Sequence, residues 1–331
     1  MKIRIIIFFM LLSASFFQAC KTDFEINAPW KESTIVYGIL NQNDTVHYIK
    51  INKAFLGEGN AMFMAQNPDS STYGGKIEAS LYVYNLGSRI DSIPLDTVTV
   101  KKDSGIFYSK QILYKTTRTL NEDFLYKIYI HNKVSGKIIT SDSIPLILRT
   151  GFKIEKPAVS SMDFTAVPPR ESKLVFKTAK YGKRYQIVFR FHYFETDINT
   201  SVTQSKYVDW NLGERKSSSL SGGETIEISY GEQFFNILKG ATLPNSSVKR
   251  MADKVEIIVY VAGDDLNTYM DVNSPSSSIV QERPEYSNII NGIGIFSCRF
   301  DLRKKFTLST KSLDSLSYGR FTNNLGFVRF P

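Results

Sequence analysis

Apolar and polar residues alternate along much of the chain with the two-residue period of a half-buried strand. The clearest run is Ile77 to Tyr84, where positions 77, 79, 81 and 83 are apolar and the intervening ones are polar or amphipathic. Thr34 to Leu40 is another strand-like run, closed by the turn composition Asn41-Gln42-Asn43-Asp44. Val46, Tyr48, Ile49 and Ile51 restart the pattern, so the pair reads as a hairpin. A second hairpin is predicted where Phe124 to Ile130 and Lys137 to Thr140 flank the turn Asn132 to Gly136. Ala54 to Tyr73, with its Gly, Asn and Pro, reads as a loop. Pro145 lacks a backbone donor and suits the end of a strand at Ser143-Ile144-Pro145.

The second half repeats the signal. Lys173 to Lys177, Tyr185 to Phe191, Thr225 to Tyr230 and Val255 to Val261 read as strands, and Phe296 to Leu308 as two more. Two short helices interrupt them. One covers Gly231 to Lys239, with Phe234, Phe235, Ile237 and Leu238. The other covers Asp264 to Val272, whose leading acids suit a helix amino terminus. Ser274 to Glu285 reads as a surface loop. The expected fold is mainly β: an immunoglobulin-like β-sandwich over 32–148, then a second β-rich domain over 149–331 with one or two short helices. The boundary falls near 146–155.

The amino terminus carries a different pattern. Lys2 and Arg4 precede an unbroken apolar run from Ile5 to Leu12, then small residues and Ala19, the three parts of an export signal. The apolar run is far short of the roughly 20 residues that span a bilayer, so 1–19 reads as a cleaved leader. Phe17-Gln18-Ala19-Cys20 resembles the bacterial lipobox. Ala19 gives a peptidase access, and the Cys20 thiol can receive diacylglycerol. Residues 20–31 then read as a lipidated tether. Asp23, Phe24 and Glu25 resemble the acidic signal that sends Bacteroidota lipoproteins to the outer face of the outer membrane. Asp44-Thr45-Val46, Asp91-Ser92-Ile93, Asp96-Thr97-Val98, Asp142-Ser143-Ile144 and Asp314-Ser315-Leu316 resemble the O-glycosylation sequon of those bacteria.

Composition narrows the partners. The chain has 331 residues, with 41 Lys and Arg against 32 Asp and Glu, a net +9. Two of those cations lie in the leader, which leaves a modest excess. The tight basic clusters are Lys101-Lys102 and Arg303-Lys304-Lys305, without the basic element and stacking aromatics of a nucleic-acid binder, so no nucleic-acid partner is expected. With Cys20 acylated, Cys298 has no intramolecular partner. It sits in the apolar run Ile295 to Phe300, where a buried thiol acts as a small hydrophobe.

No catalytic set emerges, and neither a metal nor another cofactor is expected. His47, His131 and His192 lie far apart in sequence, without zinc-ligand spacing. His192 and Glu195 are three apart in a strand, hence on opposite faces. Asp264, Asp265, Asn267, Asp271 and Asn273 form an oxygen-rich cluster that does not follow an EF-hand loop. Gly292-Ile293-Gly294 lacks the context of a nucleotide fingerprint and suits a bulge or tight turn. The aromatic residues Tyr82, Tyr84, Tyr193, Tyr207 and Trp210 are candidates for a sugar platform, with Tyr193, Tyr207 and Trp210 taken as the candidate ligand-binding set.

Three segments together resemble one family: Val36 to Asn41 with Asp44-Thr45-Val46, Ile51 to Gly57, and Tyr286 to Phe296. They are similar to the Bacteroidota lipoproteins known as domain of unknown function 4249. The resemblance implies a surface-exposed outer-membrane lipoprotein, a non-enzymatic binding or accessory subunit beside a TonB-dependent outer-membrane β-barrel transporter, with a glycan or peptide as ligand. It assigns no catalytic residue. A surface glycan or peptide hydrolase, and an adhesin or structural surface component, remain the alternatives.

Overall fold

The computed structural model describes residues 33–54, 71–101, 110–275 and 285–329, and the protein is mainly β. The alternating runs become strands whose apolar faces turn inward. β1 (Thr34–Leu40), β2 (His47–Lys53), β5 (Asp96–Lys101) and β6 (Lys110–Thr116) form one sheet of an immunoglobulin-like sandwich. β3 (Ile77–Asn85), β4 (Ser88–Pro94), β7 (Leu125–Asn132), β8 (Ile138–Ser141) and the short β9 (Ile144–Pro145) form the other. Val36, Leu40, Ile49 and Ile51 of the first sheet, and Leu81, Ile128, Ile130 and Ile139 of the second, are buried in its core.

The second module pairs β10 (Lys153–Lys156), β12 (Ser172–Lys177) and β15 (Thr225–Tyr230) in one sheet. Opposite it lie β13 (Arg184–Asp197), β14 (Thr203–Lys216) and β16 (Val248–Ala262), all three long. The two-residue β11 (Ser161–Met162) runs beside the end of β18 (Gly292–Leu308). An aromatic core fills the space between the sheets. Phe164 stacks on Phe234 at 4.2 Å and lies within 6.2 Å of Phe189 and 5.3 Å of Tyr230.

Where two strands were expected over Phe296 to Leu308, one 17-residue strand, β18, runs from Gly292 to Leu308 and changes partner midway. Gly292 to Cys298 pair in parallel with β1, and Arg299 to Phe306 pair antiparallel with β16. One strand therefore completes both modules. The two-residue β17 (Ile289–Ile290) adds to β8 just before it. Gly294 makes the seam possible. It has φ +116°, and a Cβ there would stand 2.1 Å from the Val36 carbonyl oxygen. The glycine serves a close backbone approach, in unbroken register with β1, rather than the bulge or tight turn expected of it.

Three helices are present among the described residues. α1 (Gln233–Ala241) and α2 (Asp264–Asn273) lie where the sequence places them. α3 (Thr310–Tyr318) was not anticipated. Its signal is Ser309, whose hydroxyl accepts the Ser312 N–H at 3.2 Å as an N-cap. No helix among the described residues is long and apolar enough to cross a membrane.

His47 points into the sandwich, 2% exposed, and neither ring nitrogen has a hydrogen-bond partner. Burial lowers its pKa from 6.5, partly opposed by the charge of Asp44. The unfolded chain therefore takes up this proton first. The contribution to stability is complete above pH 6.5 and is lost as pH falls below it. Urea midpoints measured from neutral pH down to about pH 5 should fall, and His47→Phe should flatten that slope. An unchanged slope in the variant would refute the assignment.

Candidate functional site

β13 alternates most clearly from Phe189 to Phe194. Tyr185, Ile187, Phe189, Phe191 and Tyr193 face the core, while Arg190, His192, Phe194 and Thr196 face outward. The outer face of β14–β13–β16 ends at the β13–β14 hairpin in an open groove of about 570 Å³. Phe194, Met251, Ile198 and Val328 give it an apolar floor, and Thr196, Ser201, Thr203 and Lys249 form its polar rim. A smaller hollow of about 380 Å³, walled by Glu195, Gln204, Asn245 and Val248, opens on the reverse face of the same hairpin.

Two devices shape the groove. The Asp197 carboxylate accepts the N–H groups of Thr200 at 2.8 Å and Asn199 at 2.9 Å, which fixes the hairpin turn. The Thr200 bond, with help from Asn199, holds that carboxyl below the usual range. Beneath the floor, Arg250 is 4% exposed. Its Nε donates to Glu195 at 2.7 Å, Nη2 to the Leu243 carbonyl at 3.1 Å, and Nη1 to the Leu325 carbonyl. The Val328 N–H donates to the Arg250 carbonyl at 2.9 Å, which lays the chain's last described residues along β16.

Further down the same face runs a charged ladder. Arg190 forks onto Asp209 at 2.7 and 2.8 Å, and its guanidinium lies 4.3 Å from the centre of the Tyr207 ring. Glu256, 7% exposed, is 3.6 Å from Arg303 and 3.7 Å from His192 Nε2. Arg303 also donates to Asp301 at 2.7 Å. His192 and Glu195 do lie on opposite faces: Glu195 turns inward to Arg250 and Lys206.

The proposed aromatic set does not converge. Tyr193 is buried, stacked on Phe191 at 5.7 Å and edge-on to Phe327 at 5.5 Å. Trp210 is half-buried and meets Phe189 edge-on at 5.8 Å. Tyr207 alone presents its ring to solvent, 57% exposed. Three positions separate Tyr207 from Trp210, so the pleat sends them to opposite faces. Tyr82 stacks on Tyr129 at 4.5 Å on the outer face of the other module, with Arg89 4.5 Å from its ring, and Tyr84 follows on the same face. Cys20, Asp23, Phe24 and Glu25 lie outside the described residues. Of the sequon hydroxyls, Thr45, Ser92, Thr97 and Ser143 sit at exposed positions and Ser315 is half-buried.

The oxygen-rich cluster on α2 is divided among protein partners. Asn267 accepts from Arg184 Nε at 3.0 Å, Asp271 takes Arg184 and Lys216, and Asp265 accepts the Tyr286 hydroxyl at 2.6 Å. Among the described residues, no three His, Cys, Asp or Glu side chains gather as metal ligands. The Cys298 thiol is buried, and burial with the nearby charge of Asp265 pushes it up to about 12, which leaves it protonated and unreactive. Every carboxyl with a shifted pKa among the described residues, at Glu195, Asp197, Glu224 and Asp271, is held below the usual range. A general acid at neutral pH needs the opposite shift.

The groove residues Phe194, Lys249, Met251 and Val328 had no signal that would single them out. Phe194 and Met251 face each other across β13 and β16, and Val328 arrives from the far end of the chain.

No family model and no curated protein matches the chain. Among solved structures, the C-terminal globular domain of an oligosaccharyltransferase from Pyrococcus abyssi aligns over 86% of this chain and 46% of that one, at 12% identity and a TM-score of 0.22. This chain thus spans less than half of that structure, and so loose a superposition assigns it neither fold nor role.

Proposed function

We propose that the protein is a surface-exposed outer-membrane lipoprotein, held by acyl chains on Cys20, that acts as a non-enzymatic binding or accessory subunit beside a TonB-dependent β-barrel transporter. The observation that carries this reading is the Phe17-Gln18-Ala19-Cys20 lipobox behind an export signal, followed by Asp23, Phe24 and Glu25. The resemblance of three segments to domain of unknown function 4249 supports the setting. The groove supports a binding role: its floor is apolar, its rim is hydroxyl-bearing with one lysine, and its neighbouring carboxylates are ion-paired or engaged in turn hydrogen bonds. Such a surface recognises a partly apolar ligand or protein segment by contact area.

The test labels growing cells with a fatty acid and recovers the tagged protein in mild detergent. Label is expected on the unaltered protein and absent from Cys20→Ser. A co-purifying β-barrel is expected with the unaltered protein and weakened by Met251→Glu on the groove floor. Unlabelled wild-type protein would end the lipoprotein reading. Labelled protein always recovered alone would end the accessory reading.

A further inference from the structure

The end of the first sandwich from which residues 1–32 leave differs sharply from its opposite end. Thr34, at the exit point, pairs with Lys53 and Gly292, and the Ser33 carbonyl accepts the Ala54 N–H at 2.8 Å. Beside it, Ile77 pairs with Asn132, the Lys133 N–H donates to the Lys76 carbonyl at 2.9 Å, and Asn291 Nδ2 donates to the Ile138 carbonyl at 3.0 Å. These bonds gather the exit point, the 133–137 turn and the 290–293 corner at one end.

That end exposes apolar side chains. Val134 is 75% exposed, and Ile138, Ile290 and Ile293 are each close to half exposed. Lys53, Lys76 and Lys133 lie on the adjoining strand ends. Among the described residues, the carboxylate on these strand ends is Glu78, 3.6 Å from Lys133. The opposite end is neutralised instead: Arg118 meets Asp91, Arg149 meets Glu122, and Arg299 meets Asp44. Excess cations around protruding aliphatic tips match a phosphate-bearing lipid surface, which offers anionic headgroups over an apolar interior.

We propose that this end of the sandwich docks on an anionic lipid surface. The inference rests on the reading of Cys20 as the lipid-bearing residue. The extended chain from Cys20 to Ser33 reaches at most about 45 Å, so the tether alone permits many orientations. The lysines and isoleucines select one of them, with the second module and its groove turned away from the bilayer.

The test uses the mature chain from position 20 without acyl chains, which contains every described residue. It is mixed at low salt with vesicles rich in phosphatidylglycerol or made of phosphatidylcholine alone, and sedimented. Binding to the anionic vesicles is expected, with loss on adding salt. Lys76→Glu/Lys133→Glu should weaken it about tenfold or more. Lys239→Glu/Lys311→Glu, an equal charge change on the second module, should leave it within about twofold. Val134→Ser/Ile290→Ser, which leaves charge unchanged, should weaken it too. No binding to anionic vesicles, or equal loss from both charge-reversed pairs, would overturn the proposal. So would Lys76→Glu/Lys133→Glu weakening recovery of a β-barrel without affecting vesicles. Fatty-acid labelling reads the anchor separately, so failure of this face and failure of the anchor give different results.

Discussion

Arg250→Ala is expected to destabilise the protein by about 3–5 kcal/mol, the range for removing one partner of a buried ion pair. The side chain is almost fully enclosed and fastens three elements: β13 through Glu195, the segment after α1 through the Leu243 carbonyl, and the carboxy-terminal turn through the Leu325 carbonyl. Truncation leaves two carbonyls without a donor and Glu195 with Lys206 as its remaining ionic partner. Equilibrium urea unfolding measures the loss. Lys206→Ala is the control. Its side chain is 42% exposed, so its removal should cost about 1 kcal/mol or less.

The same defect has a pH signature. Burial pushes the Glu195 carboxyl upward, but hydrogen bonds and charge from Lys206 and Arg250 outweigh it and hold the group below 4.5. A carboxyl depressed in the fold contributes stability that is complete above its unfolded value and is lost as pH falls through the folded one. The gap between wild type and Arg250→Ala should therefore be full at neutral pH and shrink below about pH 4.5. A gap under about 1 kcal/mol at neutral pH would mean that this clamp does not hold the groove together.

Gly294→Ala is expected to cost about 3 kcal/mol or more, from a left-handed backbone angle and a Cβ driven into the Val36 carbonyl. Gly223→Ala separates the two causes. Gly223 also has positive φ, +81°, but nothing within 4 Å of the added carbon, so its cost should be about 1 kcal/mol. The extra loss at Gly294 should appear locally, as faster amide exchange in β1 and the first half of β18. Equal costs for the two variants would show that the β1–β18 seam is not closely apposed.

The strands were legible because the pleat writes itself into the sequence. Ile77, Ala79, Leu81 and Val83 are buried in β3, and the strand edges lie within a residue or two of the periodic run. β14 carried the same sign, with Val208, Trp210 and Leu212 packed against the core, but its Thr- and Ser-rich start and the bulge at Leu212-Gly213 obscured it. β4 escaped for another reason: at the sheet edge, Ser88 to Pro94 is exposed at six of its seven positions, so alternation has nothing to report. Parity divides the set Tyr193, Tyr207 and Trp210. Tyr207 and Trp210 were grouped by residue type, and the two-residue period separates them.

The sequence by itself determined the β class, the positions of two helices and the inertness of Cys298, because each follows from a residue and its near neighbours. Only tertiary structure decided that β18 serves both modules, that Arg250 ties the hairpin to the chain's end, and that Phe194, Met251 and Val328 share a groove. Those facts depend on strand pairing between segments far apart in the chain. The physical reason is one of range: burial periodicity is a local property, whereas a backbone hydrogen bond carries no mark of which distant strand will accept it.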